Sequence, residues 1–161
     1  MNYCPTCGAA TIRGIPPGDN RERDLCSACD AIFYDNPKIV AGVLAVFGDR
    51  VLLCKRAIEP RRGYWTLPAG FLENGEALAD GARRETIEEA AAQVGDLTLY
   101  TVFSLPHISQ VHMFYRAELV DGEPGRGFDV GEESLDVRLY AETEIPWDAL
   151  SFPVVTDTLR H

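Results

Sequence analysis

The sequence predicts an α+β fold in two modules, a cysteine-rich one over residues 1–34 and a larger one over residues 35–161. Three observations predict it. Two C-x-x-C pairs, "CPTC" and "CSAC", stand eighteen residues apart near the N-terminus. From Ile39 onward several apolar runs have strand character, and among them lies one long segment, residues 77–94, with helical periodicity.

Composition narrows the function classes. At 46% hydrophobic and 25% charged the chain has the balance of an ordinary globular protein, with no run of about 18 apolar residues that would cross a bilayer. Residues 1–10 lack a basic segment followed by an apolar stretch, so a cytoplasmic protein with thiols rather than disulfides is expected. A net charge of −10 speaks against a broad electrostatic grip on DNA or RNA. Neither a nucleic-acid nor a membrane partner is expected, and a substrate carrying phosphate would need metal cations to reconcile the signs.

The spacing of Cys4, Cys7, Cys26 and Cys29 matches a Cys4 zinc ribbon. Two residues between thiolates let one tight turn present both sulfurs to one tetrahedral ion, and Gly8 supplies the residue such a turn needs. A segment of this length buries too little apolar surface to fold unaided, so the zinc is expected to be structural and to supply folding energy on the order of 10 kcal/mol. Four cysteines leave no open position for a reacting water.

Residues 34–38, "YDNPK", read as a linker. Residues 39–47, "IVAGVLAVF", and 51–56, "VLLCKR", predict strands joined through Gly48, Asp49 and Arg50 as a hairpin, with Cys54 a buried, inert thiol. Further strands are predicted in "LYTVFSL", in "VHMFYRAEL" (with Val111, Met113, Tyr115, Ala117 and Leu119 alternating against more polar neighbours) and in "SLDVRLY". Helices are predicted over 77–94, ended by Gly95, and over 154–160. The glycine-rich, charged residues 121–133 are expected to form a mobile loop.

Within the long helix a period of 3.6 residues places Glu85, Glu88 and Glu89 on one face, with Gly81 and Ala92 leaving space in front of them. Ala79, Thr86, Ile87, Ala90 and Val94 fall toward the opposite side, to pack on a sheet. Three like charges this close repel, so a cation is expected among them.

Extended upstream, this helix reads "GFLENGEALADGARRETIEEA", in which Gly70, Glu76, Arg84, Glu85, Glu88 and Glu89 follow the spacing G-x5-E-x7-R-E-x-x-E-E. The pattern resembles the Nudix box, and with the surrounding strands the resemblance to the Nudix hydrolase family extends over residues 35–161. It implies an α/β/α sandwich on a mixed sheet. It also implies hydrolysis of a nucleoside diphosphate linked to another moiety, with Mg2+ or Mn2+ as the working metal, and a homodimer. By the same resemblance Glu85, Glu88 and Glu89 are metal ligands, the Gly70 carbonyl is a backbone ligand, Arg84 holds a neighbouring glutamate, and Glu76 braces the loop against the helix. Glu133, ahead of the strand "SLDVRLY", matches the position of a further metal-binding carboxylate, and either Glu88 or Glu133 is the general base. The family usually has a bulky aliphatic at Thr86, then glycine and an aliphatic at Ala91 and Ala92. The missing glycine predicts a helix that runs on to Gly95.

The ribbon followed by this domain resembles NADH pyrophosphatases, but where those carry S-Q-P-W-P-F-P-x-S this chain reads "SLPHISQVHMFY". The ribbon, "KRAIEPRRGYWTLPAGFLENGE" and "SLPHISQVHMFYRA" together are similar to ribbon-bearing relatives of plant FAD and ADP-ribose pyrophosphohydrolases. FAD or ADP-ribose, cleaved to release AMP, is the leading expectation. The alternatives are NADH, or a nucleotide-sensing module whose ribbon contacts nucleic acid or protein. Arg56, Arg61, Arg62, Trp65 and His107 are candidate substrate contacts. Phe47, Trp65 and Phe114 could stack on a base, but packing is the favoured role for each of them.

Overall fold

The computed structural model describes residues Met1–His161 and divides the chain into two units, Met1–Pro37 and Lys38–His161. In the first unit β1 (Thr11–Gly14), β2 (Arg23–Cys26) and β3 (Ile32–Phe33) form an antiparallel sheet in chain order. Cys4 and Cys7 lie in the turn before β1, while Cys26 ends β2 and Cys29 lies just beyond it. Their sulfurs approach one another at 3.7 Å (Cys4 to Cys29) and 3.4 Å (Cys7 to Cys26), and all four lie within 4.8 Å. Four sulfurs about 2.3 Å from one zinc ion would stand roughly 3.8 Å apart, so the cluster fits that ion. Tyr3, Ile12, Ile15 and Tyr34 are exposed, so apolar burial contributes little to this unit.

The second unit is built on one mixed sheet. Its strands are β4 (Lys38–Phe47), β5 (Arg50–Arg56), β8 (Thr98–Leu105), β9 (Gln110–Glu118) and β10 (Ser134–Ala141), in the order β10-β5-β4-β9-β8. The short β6 (Trp65–Thr66) pairs with β5 and β7 (Ala69–Phe71) with β4. β4 and β9 run parallel, and the other pairs are antiparallel. Arg50 pairs with Phe47, so the hairpin turns on Gly48 and Asp49 alone, with Gly48 at φ 61°.

Both faces of the sheet are covered, which explains the continuous apolar run in β4. Ala41, Val43 and Ala45 join one core with Ala82 and Ala90 of α1 (Leu78–Ala90). Leu44 and Val46 point the other way, into a core with Val154 and Val155 of α2 (Pro153–Arg160). The result is an α/β/α sandwich. β9 is likewise central, so its apolar alternation does not divide core from solvent. Phe114 fills the α2 side and Ala117 the α1 side. No helix is long and apolar enough to cross a membrane.

Two expectations about α1 and one about the segment that docks on it are corrected. The helix does not reach Gly95. It stops at Ala91, whose backbone is left-handed (φ 46°, ψ 29°), and the Ala91 and Ala92 amides turn back to the Ile87 and Thr86 carbonyls. Residues 121–133 are not a free loop, because Phe128 enters the core and the amides of Asp129 and Gly131 bond the Ala90 and Glu89 carbonyls. The docked segment occupies the place a longer helix would need. Ile87 is 52% exposed, whereas Glu89, at 5%, belongs to the buried face with Gly81, Ala82, Thr86 and Ala90. Thr86 sits where an aliphatic is usual, and its hydroxyl is satisfied by donating to the Ala82 carbonyl at 2.8 Å.

Two expected outcomes follow from this architecture. A left-handed alanine costs about 1–2 kcal/mol that glycine avoids, partly offset by glycine's greater freedom when unfolded. Ala91→Gly should therefore raise the melting temperature by about 2–4 °C in a thermal scan. Stripping zinc with a chelator should collapse the amide NMR dispersion of the first unit while that of the second persists. Dispersion retained by metal-free residues 1–37 would show that the ion is not what folds them.

Candidate active site

The turn between β7 and α1 brings Gly70 against the side of the helix. A methyl group on Gly70 would overlap the Glu85 carboxylate, so glycine is what lets that carboxylate lie directly against this strand. Arg84 then ties turn to helix with all five of its donors. Nε donates to Glu76 at 3.1 Å, Nη2 to Glu76 at 2.8 Å and to the Phe71 carbonyl at 3.1 Å, and Nη1 to Glu85 at 2.7 Å and Glu88 at 2.9 Å. The guanidinium holds the Glu76 carboxyl below its ordinary range, and the Glu73 amide, donating at 2.7 Å, reinforces this. Arg84 itself is pushed further up by the carboxylates, Glu76 foremost.

Glu89 lies beyond the reach of this clamp. Its carboxylate accepts a hydrogen bond from the Ala69 amide at 3.1 Å, yet burial pushes its pKa up to about 8, aided by the Glu85 and Glu133 charges and opposed by Arg56. Burial also raises Glu85, against the pull of Arg84. Glu133 arrives from the docked segment, its carbonyl accepting from the Ala57 amide at 2.8 Å. A side chain on Gly131 would strike the Glu88 carbonyl, so this close approach sets where Glu133 begins.

These groups share one cleft of about 1240 Å³. It gathers Gly70, Arg84, Glu85, Glu88, Glu89 and Glu133, together with Arg56 and His107. Arg56 is held at its mouth by donating to the Pro60 carbonyl at 2.9 Å and by lying 5.3 Å from the centre of the Phe152 ring. Trp65, Arg61 and Arg62 do not line the cleft. Trp65 is 8% exposed and packs edge-on against Tyr140 at 5.1 Å in the α2-side core, while exposed Arg61 lies over Tyr64. Phe47 packs against Gly122. Sequence reasoning missed Phe71, Gln110, His112 and Phe152 as cleft residues. The two-residue spacing of Gln110 and His112 was a signal for the strand pair, obscured by the apolar Val111 and Met113. Phe152 carries none.

Only the cysteines form a group of three or more potential ligands with atoms within 4.8 Å of one another. Glu85 and Glu88 are bridged by Arg84, and Glu89 is turned to the Ala69 amide. Their chemistry nonetheless suits one kind of ion, because several carboxylates and a backbone carbonyl are hard oxygen donors of the type that hold Mg2+ or Mn2+.

Comparison with known proteins agrees with this arrangement. Residues 36–157 match the family model described as NUDIX domain, and residues 2–35 match one described as Nudix N-terminal, a zinc ribbon. Nudix hydrolase 19, chloroplastic, of Arabidopsis thaliana is 34% identical over 104 residues, 62% of this chain and 22% of that protein. The NAD-capped RNA hydrolase NudC of Edwardsiella ictaluri is 30% identical over 122 residues, 75% of this chain and 45% of that protein. The chain thus spans less than half the length of these curated relatives. The crystal structure of a NUDIX hydrolase from Nitrosomonas europaea is 52% identical, with a TM-score of 0.92 over 99% of this chain and 89% of that one. A domain match over three quarters of the sequence, with the clamp and glutamates falling inside it, means that the chain belongs to the Nudix hydrolase family.

Proposed function

We propose that the chain hydrolyses the pyrophosphate bond of a nucleoside diphosphate derivative, with ADP-ribose or FAD as substrate and AMP as one product. The observation that carries this reading is the convergence of Glu85, Glu88, Glu89, Glu133 and the Gly70 carbonyl on one cleft large enough for a dinucleotide. In this reading those groups hold Mg2+ or Mn2+. The bound ions would shield the pyrophosphate charge and activate the attacking water. Arg84 keeps Glu85 and Glu88 aimed along the helix. Glu88 is engaged in that ion pair while the Glu133 side chain has no such partner, which favours Glu133 as the general base. Arg56 and His107, at the cleft wall, are the substrate contacts the geometry favours. The stretch "SLPHISQVHMFY" supports ADP-ribose or FAD over NADH. NAD or NADH is the second reading, favoured by the extent of the match to relatives named NAD-capped RNA hydrolases.

Glu89 connects fold to chemistry. Its folded-state pKa of about 8 exceeds its ordinary value, so the folded protein binds a proton that the unfolded chain releases. The stability this proton provides is full below the ordinary carboxyl range and is lost as pH rises through about 8. Without divalent metal, the melting temperature should fall between pH 5 and 8. Added Mg2+ should restore more of it at the upper end, and Glu89→Gln should flatten the slope. The same variant, or Glu88→Gln, should lower turnover by orders of magnitude with the fold retained; full activity in either would remove these residues from the mechanism.

A panel of ADP-ribose, FAD, NADH and dinucleoside polyphosphates, with products separated by chromatography, tests the substrate ranking. AMP should appear from ADP-ribose or FAD only with Mg2+ or Mn2+. Faster cleavage of NADH would exchange the two readings, and binding without turnover would point to a nucleotide sensor.

A further inference from the structure

The cleft floor carries a polar pair that neither the box nor the metal chemistry uses. Gln110 and His112 stand two residues apart on β9, hence on one face of the strand, with His112 Nε2 2.8 Å from Gln110 Oε1. Val40, Leu105 and Ile108 form the apolar part of the wall beside them, with His107 between the last two, and Lys38 pairs with Gln110 across β4. Sheet register fixes how far they lie from β7. Phe71 of β7 pairs with Val40 of β4, and Val40 pairs with His112 of β9, so the three side chains form a row across one face. Two strand spacings, about 10 Å, separate His112 from the strand that carries Gly70. That is the reach of a ribose and its base from a diphosphate held at Gly70.

We propose that Gln110 and His112 act as a dyad that reads the edge of the substrate's base and selects adenine. The inference rests on the reading of the cleft as a nucleotide site. Because the pair bonds internally, it offers outward one donor and one acceptor. If His112 Nε2–H donates to Gln110 Oε1, the Gln110 amide is the free donor and His112 Nδ1 the free acceptor. In the other tautomer, with the amide turned, the roles exchange. Half-burial holds the imidazole below its ordinary pKa, which keeps His112 neutral and the pattern intact near pH 7. Adenine presents the complement, an N6 donor beside an N7 or N1 acceptor. Guanine presents two acceptors at its N7/O6 edge. Turned to its other edge, it would leave its exocyclic amine unpaired against the apolar wall, an arrangement that costs binding.

Calorimetric titration of the zinc-loaded chain, both units together, with AMP and with GMP, in Mg2+, tests this without turnover. AMP should bind at least tenfold more tightly. Gln110→Met and His112→Leu, each checked for fold by circular dichroism, should bring the ratio to within about twofold. On the hydrolysed substrate, the loss should fall on KM rather than kcat. Equal affinity of the wild-type chain for AMP and GMP overturns the proposal, as does an unchanged ratio in both folded variants or an equal weakening of both nucleotides. If the chain discriminates the monophosphates but cleaves nothing in the substrate panel, the hydrolytic reading fails and the base-reading dyad stands.

Discussion

The site depends on the five-donor clamp of Arg84. A guanidinium is a rigid fork, and here its donors join three parts of the chain: Glu76 before the helix, the Phe71 carbonyl in the turn, and Glu85 and Glu88 on the helix itself. Such a network fixes the turn relative to the helix more tightly than apolar packing of the same residues would, because each bond is directional. It also answers the repulsion between neighbouring glutamates. The cation among Glu76, Glu85 and Glu88 is a covalent part of the protein, and of the glutamates on the helix Glu89 is the one left without a direct cationic partner.

That division has an energetic consequence. Glu89 occupies a face of α1 otherwise given to Gly81, Ala82, Thr86 and Ala90, where an apolar side chain would be worth more to the fold. Glu89 keeps its place at the cost of a carboxyl held protonated well above its ordinary range. Small neighbours allow this. Gly81 and Gly70 bring the turn close, and the Ala69 amide supplies one hydrogen bond in place of lost water. A buried, incompletely paired carboxylate that burial alone disfavours is a group poised for a cation, and this physical sense links the fold to the proposed chemistry.

How much of this was legible in the sequence divides along the range of the interactions. The cysteine cluster and the charged box were readable because their chemistry is set by local spacing. The two strands of the hairpin and the second helix were readable from periodicity and turn residues. The end of α1 was not, because it is decided by a segment some forty residues downstream, whose Asp129 and Gly131 amides take the last helical carbonyls. Ile87 and Glu89 exchanged expected places for a related reason. The helix is rotated so that Glu89 faces the Ala69 amide, and hydrophobic periodicity cannot register a carboxylate on the inner face. Trp65 was a candidate substrate contact, but β6 pairs with β5 and turns the ring into the core beside Tyr140.

The sheet also separates two tasks. The clamp and glutamates belong to α1, to the turn after β7 and to the segment before β10, which meets the helix backbone at a contact that tolerates only glycine at Gly131. Gln110 and His112 belong to β9, on the other side of β4 from β7, outside the Arg84 network. A substitution in the first group disturbs a shared hydrogen-bond network, whereas one on the β9 wall changes only what the cleft displays. A chain built this way can alter which nucleotide it accepts without rebuilding the part that would cut it. The divergence of "SLPHISQVHMFY" from the signature of NADH pyrophosphatases, beside a box whose charged positions are all retained, is what that separation would produce.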